Sequence, residues 1–315
     1  MTRADVAGDP GAVEATGGNR VAWADVPGPV RAAVEDGIGA PVVRAVSQSG
    51  GFSPGLAARL ELGDGRRVFA KAVGSSANPV SPAMHRREAL VAPVVPGPRL
   101  LWSHDDGDWV VLVFEDVPGR TPAVPWVADE WERVHAAVVE LSRVVAPPGF
   151  PRVGHDPGVF SGWRRLAGSP VPGLDPWAAG RLDELAGWES GWGSASAGTS
   201  LLHGDLRADN VLLTPDGVVF VDWPHAMRGA PWVDLVLMLP SVALQGGPEP
   251  WDAWASSPLS HDADPDAVTA VVAAVTGFFV HGSRLPPPPG LPSLRAFQGA
   301  QGVHALRWLR QRLAR

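Results

Sequence analysis

The sequence predicts an α+β fold of two lobes, a small antiparallel β N-lobe followed by a larger, mainly α C-lobe. Three observations carry this. Short strand-like runs separated by Gly/Asp turn motifs fill the chain up to residue 117. Beyond Pro118-Gly119 the apolar spacing lengthens to that of helices. The 315-residue chain is 45% hydrophobic and 19% charged, a balance that supports a core and excludes a disordered chain.

The elements follow in order. Residues 1–18 are rich in Gly, Ala and Asp and have neither the basic nor the apolar segment of a secretory leader. Residues 1–20 are therefore expected to form a flexible tail, with the N-lobe at 21–117 and the C-lobe at 118–315. Residues 42–48 alternate as a strand and are broken by Ser49-Gly50-Gly51-Phe52-Ser53-Pro54-Gly55. Runs at 56–62 and 66–73 flank Gly63-Asp64-Gly65, a hairpin turn. Residues 82–95 read as a helix with Ser81 as its N-cap and Pro82 in its first turn. Strands at 99–103 and 109–115 surround Asp105-Asp106-Gly107-Asp108. In the C-lobe, helices are expected at 127–145, 176–188, 232–244, 265–281 and 294–313. Apolar runs at 201–213 and 218–222 flank Thr214-Pro215-Asp216-Gly217, and the prolines 286–289 read as a stiff connector. A cleft between two such lobes is a common place for a nucleotide.

The net charge of −7 weighs against nucleic acid as a partner. The absence of cysteine excludes disulfides, thiolate zinc sites and cysteine nucleophiles. No stretch approaches the roughly 20 apolar residues of a membrane span. The expectation is a cytoplasmic protein with neither a nucleic-acid nor a membrane partner.

Chemistry concentrates in His203-Gly204-Asp205-Leu206-Arg207-Ala208-Asp209-Asn210, held between apolar runs. Asp205 can accept the proton of an attacking hydroxyl, and the Asn210 carbonyl can ligate a hard metal. The run Val218-Val219-Phe220-Val221 then delivers Asp222 to the end of a buried strand, where a carboxylate needs a cation. Mg²⁺ suits, because it takes few carboxylates and completes its shell with phosphate. Each residue alone could be an ordinary turn or cap residue; their joint spacing points to phosphoryl transfer. Lys71 is the only lysine of the chain, set among apolar neighbours on the third strand. A lysine there can meet phosphate as a point charge, and Glu88 in the following helix is its natural partner. Gly50, Gly51, Phe52 and Ser53 belong to a loop whose backbone N–H groups can approach phosphates.

These motifs resemble the aminoglycoside phosphotransferase and choline-kinase-like group, distant relatives of protein kinases, over residues 42–244. The resemblance implies a protein-kinase-like fold and a small-molecule kinase using ATP or GTP and Mg²⁺. His203-Gly204-Asp205 with Asn210 is similar to the catalytic loop, which makes Asp205 the base. Asp222, in Val221-Asp222-Trp223-Pro224, is similar to the metal-binding Asp, shared with Asn210. Lys71 and Glu88 resemble the kinase lysine and its helix partner. Phe114, Glu115 and Val117 fall where the hinge meets adenine, and Asp234 where an acid braces the catalytic loop. Trp223-Pro224 speaks against a mobile activation loop of the protein-kinase kind. The basic C-terminus, 307–315, differs from the acidic one that aminoglycoside-modifying relatives often use.

The acceptor is expected to be a hydroxyl-bearing small molecule, either an antibiotic, as in resistance enzymes, or a metabolic amino alcohol, sugar or amino acid. A cationic acceptor would suit the acidic chain, with Trp126, Trp131, Trp251 and Trp254 beside Asp129, Glu130, Glu132 and Asp252. A silent nucleotide-binding pseudokinase is the rival from another class; it would usually lack the lysine, the base or the metal Asp, and all three are present. His203 is expected to brace the loop, and His225 to lie near the cleft or on the surface. No serine sits in a nucleophile elbow. The oligomeric state is not legible from these residues.

Overall fold

The computed structural model describes residues 17–48, 50–168 and 172–314. Most of the expected tail, and Ser49 of the glycine loop, lie outside the described residues. The end of that tail is not loose. Gly55 N donates to Asn19 O at 3.1 Å and Val21 N to Gly55 O at 3.0 Å, which ties residues 19–21 to the start of the second strand.

The N-lobe comprises α1 (Gly28–Ile38), β1 (Val42–Ser47), β2 (Leu56–Leu62), β3 (Arg67–Gly74), α2 (Ser81–Val91), β4 (Leu100–Asp105) and β5 (Trp109–Glu115). The five strands form one antiparallel sheet in the order β1-β2-β3-β5-β4, so β3 is interior. Alternation along β3 gives the sheet two faces. Val68, Ala70 and Ala72 face a core that includes Val30 and Val34 of α1. Phe69 packs on the other side with Leu112, Phe114 and Ala92. The sequence reading contained no α1. It starts after Pro27 with a proline in its first turn and stops at Gly39, whose φ of 76° is left-handed. Its short apolar stripe, Val30 and Val34, becomes decisive only against a sheet.

The reading of Ser81 as N-cap is corrected. Ser81 lies inside α2, and Asn78 supplies the cap: Val80 N and Ser81 N donate to Asn78 Oδ1 at 2.8 and 3.1 Å. The helix also ends sooner than expected, at Val91, with a 3-10 turn over Ala92–Val94.

The C-lobe contains α3 (Ala128–Ser142), α4 (Gly162–Ala167), α5 (Pro176–Ala179), α6 (Leu182–Ser190), α7 (Trp192–Ala195), β6 (Ser200–Leu202), β7 (Val211–Thr214), β8 (Gly217–Phe220), β9 (Met227–Gly229), α8 (Val233–Leu244), α9 (Pro250–Ser256), α10 (Pro265–Gly282) and α11 (Leu294–Leu313). The helix expected over 176–188 is broken at Gly180, and the short α4, α7 and α9 were not anticipated. By length and composition α10 resembles a membrane span, with mean hydropathy 1.3, contrary to the reading that no stretch comes near one. It is 67% buried inside the protein and packs against α4, α6 and α11, so its apolar character serves the core.

The proline run 286–289 is more than a connector. Asn78 Nδ2 donates to Pro289 O at 2.8 Å and Asn19 N to Gly290 O at 2.9 Å, so a C-lobe segment is strapped onto the N-lobe. Asn78 is 4% exposed and serves cap and strap together. Asn78→Ala is expected to destabilise the protein by about 1–2 kcal/mol, since it removes the acceptor of two N–H groups at the start of α2 and the bond to the Pro289 carbonyl. Urea unfolding of the variant against the parent checks this.

Candidate active site

The hairpin of β7 and β8 pairs Val211 with Phe220 and closes on a two-residue turn between Thr214 and Gly217. Val221 N continues the ladder by donating to Asn210 O at 3.0 Å. The residues flanking the open end of this hairpin are Asn210 and Asp222, so twelve residues of sequence shrink to one rung in space. Asp222 has a φ of 69°, unlike every other described non-glycine residue. An aspartate tolerates that conformation better than most residues, at a cost of about 1–3 kcal/mol.

Above the hairpin, β3 brings in Lys71. Its Nζ donates to Glu88 Oε1 at 2.8 Å, Glu88 Oε2 at 3.0 Å and Asp222 Oδ1 at 2.6 Å. The expected Lys71–Glu88 pair is present, and the metal-site candidate Asp222 joins it. Glu88 keeps 4% of its side chain exposed and Asp222 keeps 36%. Burial pushes Glu88 above the ordinary glutamate value even beside the ammonium. Burial also acts on Asp222, but the charge and hydrogen bond of Lys71 outweigh it and hold that carboxyl well below its usual range. Lys71 is raised despite burial by the two carboxylates.

The catalytic-loop candidate is held from two sides. His203 N and Gly204 N donate to Asp234 Oδ2 and Oδ1 at 2.7 and 2.9 Å, which realises the expected brace from the first turn of α8. The buried His203 ring meets Val221 O at 2.9 Å, as the bracing reading of His203 anticipated. Burial lowers His203 to about 4, so the ring is neutral at neutral pH and its Nε2–H donates. Burial likewise raises Asp234 to about 6, against the pull of its two N–H donors. Gly204 has a φ of 81°, and a Cβ there would stand 2.7 Å from His225 O. His225 itself is exposed.

A cavity of about 470 Å³ lies between the lobes. Gly50, Gly51, Phe52, Ser53, Lys71, Glu88, Phe114, Glu115, Val117, Asn210 and Asp222 all line it. Asp205 is the exception among the sequence candidates. It stands behind Asn210, whose Nδ2 donates to Asp205 O at 2.8 Å and approaches Asp205 Oδ2 at 3.4 Å. The Asp205 carboxylate, with 32% of its side chain exposed, is paired with Arg207 Nη1. Burial raises the Asp205 pKa, and Arg207 opposes that rise. Arg207 is shared, since its Nη2 reaches Asp209 Oδ2 at 2.8 Å.

A family model described as the APH phosphotransferase enzyme family matches residues 49–270. The chain belongs to this family. No curated protein sequence matches it. Among solved structures, it resembles choline kinase LicA from Streptococcus pneumoniae with a TM-score of 0.59 at 11% identity, over 90% of this chain and 98% of that one. A thermostable mutant of aminoglycoside phosphotransferase APH(4)-Ia gives a TM-score of 0.57 at 14% identity, over 89% and 98%. Aminoglycoside-3'-phosphotransferase of type VIII is 25% identical, with a TM-score of 0.50 over 76% and 94%. The phosphotransferase is therefore an enzyme with the kinase-like fold, of the small-molecule kinase type.

Sequence reasoning missed several cleft residues of this phosphotransferase. Asp116, with 2% of its side chain exposed, is flanked by Arg59 Nε at 3.0 Å and Arg67 Nε at 3.3 Å. Arg59 also donates to the carbonyls of Val117 and Gly119 at 3.2 and 3.0 Å. Gln245, at the end of α8, lines the cavity, and its buried Oε1 has no donor among the described residues. Arg20 enters from the N-terminal segment.

Part of the expected aromatic–carboxylate set is engaged with other side chains. Trp126 and Trp131 meet edge-on at 5.9 Å, Trp131 stacks on His135, and Trp254 packs with Trp232 and Trp308. Glu130 is consumed by Arg120 and by Ala123 N. The basic C-terminal helix folds back on its own lobe, with Arg310 on Asp175 and Arg312 Nη2 on Pro265 O at 2.7 Å.

His85, buried in α2, is lowered to about 4 by desolvation and by the Lys71 charge. An unfolded histidine takes its proton near 6.5, so a depressed folded value contributes stability above that pH and loses it as pH falls through 4. Both His85 and His203 are expected to keep neutral-ring NMR shifts at pH 5, where an ordinary histidine is almost fully protonated. An NMR pH titration that finds either ring charged at pH 5 contradicts the burial argument.

Proposed function

We propose that this phosphotransferase moves the γ-phosphate of ATP or GTP to a hydroxyl of a small molecule, with Asp205 as the base and Asn210 and Asp222 holding Mg²⁺. The observation that carries the reading is the convergence of Lys71, Glu88, Asp222 and Asn210 on one cavity, with Asp205 directly behind Asn210.

The donor set fits magnesium. Asn210 commits its Nδ2 to the loop, which leaves Oδ1 as the free acceptor. Asp222 gives one oxygen to Lys71 and retains the other. Among the described residues no group of three His, Cys, Asp or Glu side chains is placed to hold a metal. A cation with few protein carboxylates and a shell completed by phosphate and water matches that donor set. When bound, magnesium supplies the positive charge that offsets the transferring phosphoryl group.

The chain's own residues then divide the work. Lys71 anchors phosphate oxygens, and Glu88 keeps it pointed into the cleft. The Phe114–Val117 segment borders the base of the nucleotide. The structure of LicA with bound AMP, a protein of the same fold, supports a nucleotide in this family of clefts. Asp205 orients the acceptor hydroxyl and takes its proton as that oxygen bonds to the γ-phosphorus and the bond to the departing diphosphate breaks. Positioning supplies most of the rate in such a transfer. The intact lysine, base candidate and metal aspartate favour an active enzyme over a silent relative. The acceptor class spans the antibiotics and amino alcohols named for the aminoglycoside and choline enzymes of this fold.

A screen of aminoglycosides, other antibiotics, choline-like alcohols, sugars and amino acids for acceptor-dependent ATP or GTP turnover tests the assignment. With an acceptor in hand, Asp205→Ala is expected to lower kcat by about 10²–10⁴ while nucleotide affinity stays within about threefold. Full turnover by that variant rejects the base assignment.

Activity is expected to fall on the acid side as Asp205 takes a proton, at a pH above the ordinary aspartate range because burial raises it. Arg207→Met removes the charge that opposes this rise, so the acid limb of the kcat profile should move to higher pH. A shift to lower pH, or none, contradicts the arrangement.

A further inference from the structure

One cation reaches the cleft from outside the expected site. Residues 19–21 are tied by backbone bonds to Gly55 and Gly290, so the Arg20 side chain leaves a fixed point. It runs under the glycine loop. Nη1 donates to Ser53 O at 2.7 Å, and Nη2 donates to Gly50 O. Nη2 also lies 3.3 Å from the point where a Cβ on Gly51 would sit, and Asp209 Oδ2 is 3.6 Å from that same point. The guanidinium thus borders the space beneath the loop, in the wall of the cavity that holds Lys71.

Its partners are the unusual part. A guanidinium has five N–H donors in a planar fork. Among the described residues Arg20 bonds to two neutral carbonyls, and its buried Nε has no acceptor there. No carboxylate among them lies within ion-pair distance, although Asp222 and Asp209 are close enough to act on it through space. A largely buried charge in that state is costly unless an anion joins it. Lys71, meanwhile, is already divided between Glu88 and Asp222. Arg59, the third cation of the cavity wall, is paired with Asp116, so among the cavity's described cations Arg20 is the one that lacks an anion.

We propose that Arg20 is a phosphate-binding residue, a second cation that grips the nucleotide's phosphates from the glycine loop, in the same cavity as Lys71. The proposal rests on the phosphotransfer reading above and adds to it a nucleotide contact from the N-terminal segment. The fork of a guanidinium matches two phosphate oxygens at once. The same contact would order the loop, because Arg20 already holds the Gly50 and Ser53 carbonyls.

The test is calorimetric titration of the full chain with ATP, ADP and adenosine in the presence of Mg²⁺, for the parent, Arg20→Met and Arg20→Lys. Arg20→Met is expected to lose about tenfold or more in ATP affinity, the worth of one charge-assisted contact, with adenosine affinity within about twofold. Arg20→Lys should recover part of the loss. Equal losses for ATP and adenosine would mean that Arg20 only shapes the loop, and would overturn the proposal; so would unchanged ATP affinity in both variants. Should Arg20→Met fail to fold, judged by its ligand-free melting, Arg20→Lys alone decides: a weaker ATP/adenosine preference supports the proposal and an unchanged one overturns it. A parent chain that binds neither ATP nor GTP would instead remove the phosphotransfer reading, and this one with it.

Discussion

The constraint on which this protein depends is the burial of one ammonium group. Lys71 sits on an interior strand of the N-lobe with 14% of its side chain exposed. A charge so placed is tolerated only if opposite charges meet it with good geometry. Glu88 comes from α2 and Asp222 from the C-lobe hairpin, so the ion cluster draws three separate elements to one point. The faces of the sheet, the packing of α2 and the closure of the lobes are all compatible with that cluster. It also reserves charge for a substrate, since Asp222 remains more than a third exposed to the cleft.

Around the cluster, the C-lobe holds its chemistry with backbone geometry. The β7–β8 hairpin sets Asn210 beside Asp222, and the strained φ of Asp222 turns its carboxylate toward Lys71. Strain of that kind persists only where the surroundings over-determine it. Here the surroundings are the neutral His203 ring on Val221 O and the Asp234 carboxylate on two successive N–H groups. Asp234 belongs to α8, which is buried along nearly its whole length, so the loop is anchored to a core helix of the lobe.

The two aspartates nearest the proposed chemistry experience opposite fields. Lys71 draws Asp222 down, which suits a ligand that must stay ionised. Burial pushes Asp205 up, which would bring the proposed base closer to working pH, while Arg207 limits the rise. Arg207 is held in turn by Asp209, so one guanidinium serves two carboxylates of one loop. The four tryptophans weighed as an aromatic cation pocket, Trp126, Trp131, Trp251 and Trp254, pack in the C-lobe core that also holds Trp163 and Trp308.

What the sequence determined by itself was chemistry that is local in the chain. The loop from His203 to Asn210, the strand run into Asp222, the lone Lys71 and the turn-bounded strands were legible because residue type and spacing carry them. The pairing of Lys71 with Glu88 was legible too, through the resemblance of both to a known arrangement. Only the tertiary structure decided contacts between segments far apart in sequence. Nothing near Arg20 signals that it will lie under a loop thirty residues on, and nothing near Asn78 signals a bond to Pro289. The second carboxylate of the cluster, Asp222, the cover that α1 gives the sheet and the unpaired amide oxygen of Gln245 are of the same kind. Burial and pairing are properties of the packed neighbourhood, and a linear pattern of residue types does not contain the distances that create them.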